Sequence, residues 1–184
     1  MKKSKNSSDR KSFNNRTSCF EEQYKSVNRK LLLEIDESYK ENARAEATNG
    51  CGTQGLRQSF SKPKSPCVQW KTTLSEDLAD NIGLQLAFKA YDQVLQEECE
   101  GIDTRLSGLE NVTGLQLFFI STARTQCRIA DNATLINEIR KAKYSAAPNR
   151  VNVAMKNFEE FARAFNCSRG SPLYPPRNET CSLW

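Results

Sequence analysis

Hydrophobic residues recur every three or four positions through most of the chain, which is the spacing that aligns side chains on one face of an α-helix. The first segment of this kind covers residues 8–47. Its apolar positions are Phe13, Phe20, Tyr24, Val27, Leu31, Leu32, Ile35 and Tyr39. One long helix and two helices joined near Asn28 fit this pattern equally well.

The longest run of helical periodicity begins at Thr73 and is predicted to end by about Glu98. Thr73 and Glu76 match the S/T-x-x-E capping box, in which each side chain satisfies a backbone N–H of the first turn. Glu76 and Asp80 are four residues apart, so their carboxylates share one helix face and could hold a metal and orient its other ligand. The predicted buried face consists of Leu78, Ile82, Leu86, Phe88, Tyr91, Val94 and Leu95, and the opposite face adds Gly83 and Ala87.

Three further helices are predicted in the second half of the chain. One covers residues 114–129, the next begins after an N-cap at Asp131 or Asn132, and a short last one has Asn157 as its N-cap. Between the last two, residues 150–153 are predicted to be a short extended piece. The aromatic positions predicted to form core are Phe118, Phe119, Phe158, Phe161 and Phe165.

Two segments lack helical periodicity. Residues 48–66 have Gly, Pro, Ser and Asn at the density of turns and are predicted to be a loop or an insertion. Residues 168–184 form a proline-rich, irregular tail, in which the apolar Trp184 is predicted to be buried. The 184 residues suit a single domain or one lobe of a larger one, with a mainly α fold and little strand.

Composition removes several classes of protein from consideration. No apolar run approaches the roughly 18–20 residues of a membrane span, and no apolar segment of a signal peptide follows the basic start of the chain. The net charge of +5 derives partly from that basic start. Because no aromatic residues alternate with its charges and no nucleic-acid motif is present, we interpret the start as a solvated terminus and expect no nucleic-acid partner.

Cysteines and glycosylation sequons indicate an oxidising, extracellular type of environment. None of the seven cysteines forms a CxxC pair, which favours disulfides over a zinc knuckle. Six of the fifteen asparagines begin N-x-S/T sequons, an excess typical of an ectodomain. These asparagines are Asn6, Asn15, Asn111, Asn132, Asn166 and Asn178. The odd number of cysteines leaves at least one without a partner inside this chain.

Several blocks of this sequence resemble the C-terminal part of neprilysin and the endothelin-converting enzymes, which are zinc metalloendopeptidases. The blocks are TLSEDLADNIGL, GLQLFFISTARTQC, FARAFNCSRGSPLYP and the closing CSLW. An earlier block, SFNNRTSCFEEQY, resembles the segment that follows the zinc-binding helix of that family. The resemblance covers nearly the whole chain outside residues 48–66. It implies the helical C-terminal lobe of a thermolysin-like metallopeptidase domain, spread over residues 1–184 and truncated at its N-terminal side.

The resemblance gives the acidic helix a specific role. In the family, the glutamate of a GENxAD motif is the third zinc ligand and the aspartate of that motif orients a histidine. Glu76 matches the ligand and Asp80 matches the orienting aspartate. Ser75 replaces the usual glycine, and Asp77 replaces the usual asparagine and adds a charge.

A second family motif, D-x-H-S-P-x-x-x-R, aligns with the segment that ends at Arg150. Ser145 and Arg150 are retained, and Arg150 corresponds to the residue that hydrogen-bonds a substrate carbonyl. Tyr144 stands at the position of the transition-state histidine, and Ala142 stands at that of its aspartate. The proline is displaced to Pro148.

The chain contains no histidine, whereas the family's HExxH motif supplies two histidine ligands and the general base. We therefore expect no zinc in this chain and no peptidase activity, although zinc-dependent proteolysis is the family's function. From the residues alone, Glu76 is a helix cap, Asp80 an exposed acid, and Arg150 a surface or Asp80-paired arginine. The alternatives are a non-catalytic protein that binds peptides or a full-length relative, and an incomplete gene model of a full-length enzyme. The family is found as plasma-membrane ectodomains or secreted proteins, and this chain's location is left open.

The resemblance also implies a pattern of cysteine pairing. In the family, the position of Cys19 pairs with the last cysteine, here Cys181. The positions of Cys127 and Cys167 pair with cysteines that this chain does not contain. They are expected to be free, to pair with each other, or to pair with another cysteine of the chain. Those other cysteines are Cys51, Cys67 and Cys99.

Overall fold

The structure is a computed structural model that describes residues 3–36, 73–103, 105–141 and 143–183, with side chains from residue 12 onward. Several sequence predictions lie outside the described residues. These are the predictions for Tyr39, the 48–66 loop, Cys51, Cys67, Ala142 and Trp184.

The described chain is helical, as the sequence predicts. Its helices are α1 (Lys3–Ile35), α2 (Leu74–Glu98), α3 (Gly114–Arg124), α4 (Asn132–Lys141), α5 (Ala147–Lys156) and α6 (Glu159–Ala164), followed by a 3-10 turn at Arg177–Glu179. Within these described segments the only extended pairing is an isolated bridge between Ser171 and Tyr174. None of the described helices has the length and hydrophobicity of a membrane span.

Helix α1 runs without a break through Asn28, so the alternative of one long helix is the one observed. Its buried positions are Thr17, Phe20, Tyr24, Asn28 and Leu32. They follow the three- and four-residue spacing that places side chains on one face. Phe13 was predicted to belong to this face but is 50% exposed, because it lies one turn before the first position that other helices cover.

The other helices pack around α1 and form three hydrophobic clusters. In the first, Phe20 and Tyr24 of α1 contact Val153 of α5 and Leu183 of the tail. In the second, Leu32 packs against α4. The third joins α2, α3, α5 and α6 and contains the predicted aromatic core, of which Phe119 is the most buried member. Phe165 lies at the margin of this cluster and is 36% exposed.

Helix α2 has the predicted bounds and part of the predicted buried face, since Leu78, Ile82 and Phe88 pack against the hydrophobic clusters, but it does not have the predicted cap. Thr73 has helical backbone angles, with ψ −15°, and makes no capping hydrogen bond through its side chain, so the capping box with Glu76 is wrong. An N-cap needs an extended backbone to turn its hydroxyl toward the first-turn N–H groups. Leu86 and Val94 are 57% and 48% exposed, which is also contrary to prediction. The residues buried instead are Asp77, Asn81 and Leu84.

Helix α3 begins with a capping box that the sequence analysis did not identify. The Thr113 hydroxyl accepts from the backbone N–H of Gln116 at 2.9 Å, and the Gln116 side chain accepts from the backbone N–H of Thr113 at 3.0 Å. The helix ends at Arg124 rather than at residue 129, because the Thr125 N–H tightens the last turn and its hydroxyl donates to the Thr122 carbonyl at 2.8 Å. Asp131 caps α4, as one of the two alternatives predicted, by accepting from the Thr134 N–H.

The predicted extended piece at residues 150–153 is helical and belongs to α5. Pro148 stands in the first turn of α5, where a proline has the right φ angle and its missing N–H is not needed. Asn157 was predicted to cap the last helix, but it ends α5, and Phe158 is the N-cap of α6. The side-chain amide of Asn157 instead forms hydrogen bonds with Gln23 of α1, Asn81 of α2 and the backbone N–H of Cys181 in the tail.

A disulfide bond joins Cys19 of α1 to Cys181 of the tail, the pair that the resemblance implies, across 162 residues of sequence. It attaches the irregular tail to the central helix, where Leu183 is buried. Among the described residues, the free thiols are those of Cys99, Cys127 and Cys167, of which Cys127 is exposed.

Candidate functional site

An ion pair between α2 and α5 forms the centre of the site. Asp80 lies in the second turn of α2 and Arg150 in the first turn of α5. Arg150 Nε donates to Asp80 Oδ2 at 2.7 Å, and Arg150 Nη2 donates to Asp80 Oδ1 at 2.7 Å. The side chains are 20% and 22% exposed, so this is a bidentate, half-buried pair of the kind that fixes geometry best. The hydrogen bond to Asp80 raises the pKa of Arg150 above its ordinary value.

Two further side chains hold the guanidinium of Arg150. Its Nη1 donates to Gln126 Oε1 at 3.2 Å, and the ring of Tyr144 lies 4.9 Å from its central carbon. Of the five N–H bonds on a guanidinium, these contacts use three. Two N–H bonds of Arg150 therefore make no contact to the described residues. The guanidinium that carries them is nevertheless held in place by Asp80, Gln126 and Tyr144.

Two cavities of about 220 Å³ and 310 Å³ flank Arg150. Both are bordered by Thr125, Gln126 and Arg150, and together they form what we call the Arg150 groove. The first cavity is otherwise lined by Ala79, Asp80, Gly83, Leu84, Thr122, Val151, Ala154 and Met155. The second is otherwise lined by Cys127, Arg128, Glu138, Tyr144, Ser145 and Ala147. A Cβ atom placed on Gly83 would meet nothing within 4 Å, so the small residues of α2 leave open space there.

Asp77 lies one turn before Asp80 and has a different environment. It is 1% exposed, and neither of its carboxylate oxygens makes a hydrogen bond of normal geometry to another described residue. Burial raises the pKa of Asp77 to about 6, and the nearby hydroxyls of Ser145 and Thr73 oppose that shift only partly.

A buried polar network lies next to Asp77 and connects three helices. Asn28 of α1 donates to Ser145 Oγ at 3.2 Å and accepts from Asn149 Nδ2 at 2.7 Å. Asn81 Nδ2 donates to the Tyr24 hydroxyl at 2.9 Å. Buried amides need such partners, and satisfying them fixes the register of α1 against α2 and α5. The polar interruption of an apolar helix face at Asn28 was the sequence signal for this network, and the sequence analysis did not use it.

Comparison with known proteins identifies the family. A family-level sequence model described as Peptidase family M13 matches residues 1–181. The chain belongs to peptidase family M13. This match and the similar curated proteins support its resemblance to the neprilysin group. Members of the M13 family are zinc metallopeptidases, and proteolysis is the family's function.

The similar proteins are much longer than this chain. Neprilysin-1 of Caenorhabditis elegans is 36% identical over 117 residues, which are 64% of this chain and 15% of the relative. Membrane metallo-endopeptidase-like 1 of Mus musculus is 38% identical over 113 residues, 61% of this chain and 14% of the relative. A solved structure, the Haemonchus galactose containing glycoprotein complex, has 31% identity and a TM-score of 0.58 over 64% of this chain and 20% of that chain. The chain thus spans only about a seventh of the curated M13 relatives it matches.

The residues present in this M13 chain do not by themselves fit a zinc ion. A zinc site of the His2Glu type needs two imidazoles, and the 184 residues include no histidine. Among the described residues, no three Cys, Asp or Glu side chains are grouped closely enough to hold a metal. Both oxygens of Asp80 accept hydrogen bonds from Arg150. Glu76, at the family's third-ligand position, is half-buried near the start of α2.

The second family motif is brought together around Arg150. Tyr144, at the position of the family's transition-state histidine, is 46% exposed and stacks on the Arg150 guanidinium. Ser145, which the motif retains, is buried at the border of the second cavity, and its hydroxyl accepts a hydrogen bond from Asn28. The structure therefore brings Asp80, Arg150 and Tyr144 into contact at the Arg150 groove.

Proposed function

We propose that this chain binds extended peptides in the Arg150 groove without hydrolysing them. The observation that supports the proposal is the bidentate pairing of Arg150 with Asp80, which holds the guanidinium rigidly and leaves two N–H bonds for a ligand. A peptide carbonyl is the matching acceptor, and a preorganised donor loses little entropy on binding it.

The walls of the groove suit the side chains of such a peptide. The first cavity combines the aliphatic side chains of Leu84, Val151 and Met155 with the threonine hydroxyls, which is the usual lining of a small-ligand site. An apolar side chain next to the bound carbonyl would fill this cavity. The second cavity carries Arg128 and Glu138, which are paired with each other, so it suits a polar side chain better.

The absence of hydrolysis follows from the donor chemistry. Peptidases of this family activate water on a zinc ion, and that water reaches a pKa of about 7 only when metal and protein ligands are in place. The 184-residue polypeptide lacks both imidazole ligands, and with them the HExxH motif that carries the general base.

Binding is tested with fluorescein-labelled hexapeptides that have a central leucine or phenylalanine, by fluorescence anisotropy. Arg150→Lys keeps the charge but loses the bidentate geometry, so we expect affinity to fall about tenfold or more, the value of one to two charged hydrogen bonds. Arg163→Lys is the matched control, because Arg163 is 63% exposed and lies on α6. Equal affinity of wild type and Arg150→Lys would refute the proposed role of Arg150.

Hydrolysis is tested separately by incubating the purified chain with the same peptides and zinc and analysing products by mass spectrometry. We expect intact peptides and less than stoichiometric zinc after dialysis. Stoichiometric zinc with chelator-sensitive cleavage would show that the non-hydrolytic part of the proposal is wrong, whatever the binding result.

A second candidate function is association with a longer M13 protein. Leu86 and Val94 are 57% and 48% exposed on α2, and large apolar side chains in such positions favour contact with another protein. Co-purification with a full-length relative, compared between wild type and Leu86→Glu, tests this. Elution as a monomer in both cases contradicts the second candidate.

A further inference from the structure

The structure separates the predicted glycosylation sequons into two conformational groups. All five sequon asparagines with described side chains are exposed. Asn15 lies inside α1 and Asn132 is the first residue of α4. The other three, Asn111, Asn166 and Asn178, lie in a loop, at a helix end and in a single 3-10 turn.

The sequon itself explains why this difference matters. A glycosyl transferase must contact both the asparagine and the hydroxyl residue two positions later. In an extended conformation residues i and i+2 face the same side, whereas in a regular α-helix they do not. A helical sequon must therefore unwind before it can be modified, and an irregular one need not.

The asparagines of the three irregular sites differ in backbone conformation, but all three are exposed to solvent. Asn111 lies in the loop that precedes α3, two residues before the capping Thr113. Asn166 has a left-handed backbone, φ +50°, and its N–H bonds the Arg163 carbonyl while the Cys167 N–H bonds the Ala162 carbonyl. These are the two hydrogen bonds of a Schellman C-cap.

The helical sites are held in place more firmly. Asn15 stands in a helix of 33 residues, and the hydroxyl of its sequon, Thr17, is buried and donates to the Asn14 carbonyl at 3.0 Å. A helix of this length is stable without tertiary contacts more readily than a short one, and helices form in about a microsecond, far faster than a chain is synthesised. Asn132 stands at the start of a ten-residue helix, where only the first turn must unwind.

We propose that this chain is N-glycosylated at Asn111, Asn166 and Asn178, with lower occupancy at Asn132 and the lowest at Asn15. The side-chain amide nitrogen forms a bond to C1 of a sugar supplied by a lipid-diphosphate-linked oligosaccharide. The bond between C1 and the diphosphate oxygen breaks, the lipid diphosphate leaves, and the amide proton passes to a base of the host transferase. The Cys19–Cys181 disulfide requires the same oxidising compartment in which this transfer occurs.

Two of the proposed glycosylation sites lie at one end of the molecule, and the third lies beside the disulfide. The side chain of Gln116, in the first turn of α3, donates to the Ala164 carbonyl at 2.8 Å, which brings the Asn111 loop and the Asn166 end of α6 to one end of the molecule. Asn178 lies beside the disulfide, since Cys19 Sγ contacts the Thr180 carbonyl. None of these asparagines lines the Arg150 groove.

The test directs the full chain into the secretory pathway of a eukaryotic cell line with a cleavable leader. The secreted protein is treated with peptide N-glycosidase in ¹⁸O-labelled water, and the occupancy of each site is read by mass spectrometry. We expect most molecules to be modified at the three irregular sites and few at Asn15. Equal or higher occupancy at Asn15, or unmodified protein in the secreted fraction, would overturn the inference.

Single substitutions assign each glycan on a gel. Asn111→Gln, Asn178→Gln and Ser168→Ala each should remove one mobility step. Ser168→Ala removes the Asn166 sequon without placing a larger side chain on a left-handed backbone, which would be strained. Asn15→Gln is the matched control and should leave the mobility unchanged; loss of a step in this variant contradicts the assignment. The outcome is independent of peptide binding.

Discussion

Asp77 and Asp80 lie one turn apart on the same helix, yet they have opposite electrostatic environments. Asp80 is partly exposed and both its oxygens accept from the Arg150 guanidinium. Asp77 is almost completely buried and has no cation paired with it among the described residues. Arg150 and Asp80 act on Asp77 in opposite directions, so burial determines its pKa. On one helix, therefore, one carboxylate is fixed by a cation, and another carboxylate a single turn away is buried and has its pKa raised.

The largest expected effect on stability comes from breaking the ion pair between Asp80 and Arg150. Arg150→Ala leaves the Asp80 carboxylate half-buried without its partner, and we expect a loss of about 3 kcal/mol in the free energy of unfolding. Urea denaturation followed by circular dichroism measures it. Arg163→Ala is the control and should change stability by less than about 0.5 kcal/mol, because its ion pairs are exposed. A change of similar size in both variants would mean that the Asp80 pair is no stronger than a surface pair.

The next largest effect comes from removing the uncompensated charge. Asp77→Asn keeps the shape of the side chain and eliminates the cost of ionising a buried carboxyl, so we expect a gain of about 2 kcal/mol at pH 7. Asp80→Asn is the matched variant on the same helix and should have the opposite sign, since it weakens the pair with Arg150. Destabilisation by Asp77→Asn would show that the charge of Asp77 has a favourable partner.

The stability difference between Asp77→Asn and wild type should depend on pH, because the pKa of Asp77 is raised in the folded state. The pKa of Asp77 is raised from 3.8 to about 6, so the folded state binds its proton more tightly than the unfolded state does. Its destabilising contribution is absent below about pH 4, develops as the pH rises to about 6, and is complete above that. The stability of Asp77→Asn minus that of wild type should rise across this interval and then stay constant. Carboxyls with lowered pKa values, such as Glu159, contribute equally to both proteins and cancel.

The smallest expected effect concerns the aromatic wall of the groove. Tyr144→Leu removes the ring that lies on Arg150 and should cost about 0.5–1 kcal/mol of stability, the value of an exposed cation–π contact. Tyr144→Phe keeps the ring and should leave stability unchanged, as measured by the same urea titration. A larger loss in Tyr144→Phe than in Tyr144→Leu would indicate that the hydroxyl, rather than the ring, supports the site.

Much of the secondary structure was predictable because it depends on local periodicity. The bounds of α2 and the cap of α4 at Asp131 follow from residues within a few positions of each other. Predictions of secondary structure were wrong where the same local pattern is compatible with both a strand and a helix. Residues 150–153 alternate like a strand, but a proline in the first turn and a buried Asn149 make this segment a helix.

The site was predictable only in part. The sequence brought Glu76, Asp80 and Arg150 into consideration through a family resemblance, and the spacing of Glu76 and Asp80 placed them on one helix face. It gave no distance between Asp80 and Arg150, which are 70 residues apart. It also predicted that Leu86 and Val94 are buried, because periodicity identifies an apolar face but not whether another helix covers it.

The sequence by itself determined the helical class, the family and the lack of imidazole ligands, because these depend on residue types and on short-range spacing. Only the tertiary structure decided that Asp80 is compensated and Asp77 is not. The rotation of α2 against α1 and α5 sets which carboxylate meets Arg150 and which one is buried, and that rotation is fixed by long-range contacts such as those of Asn28 and Asn157. Charge compensation falls off within a few ångströms, so it depends on the packed arrangement of the helices rather than on the order of residues along the chain.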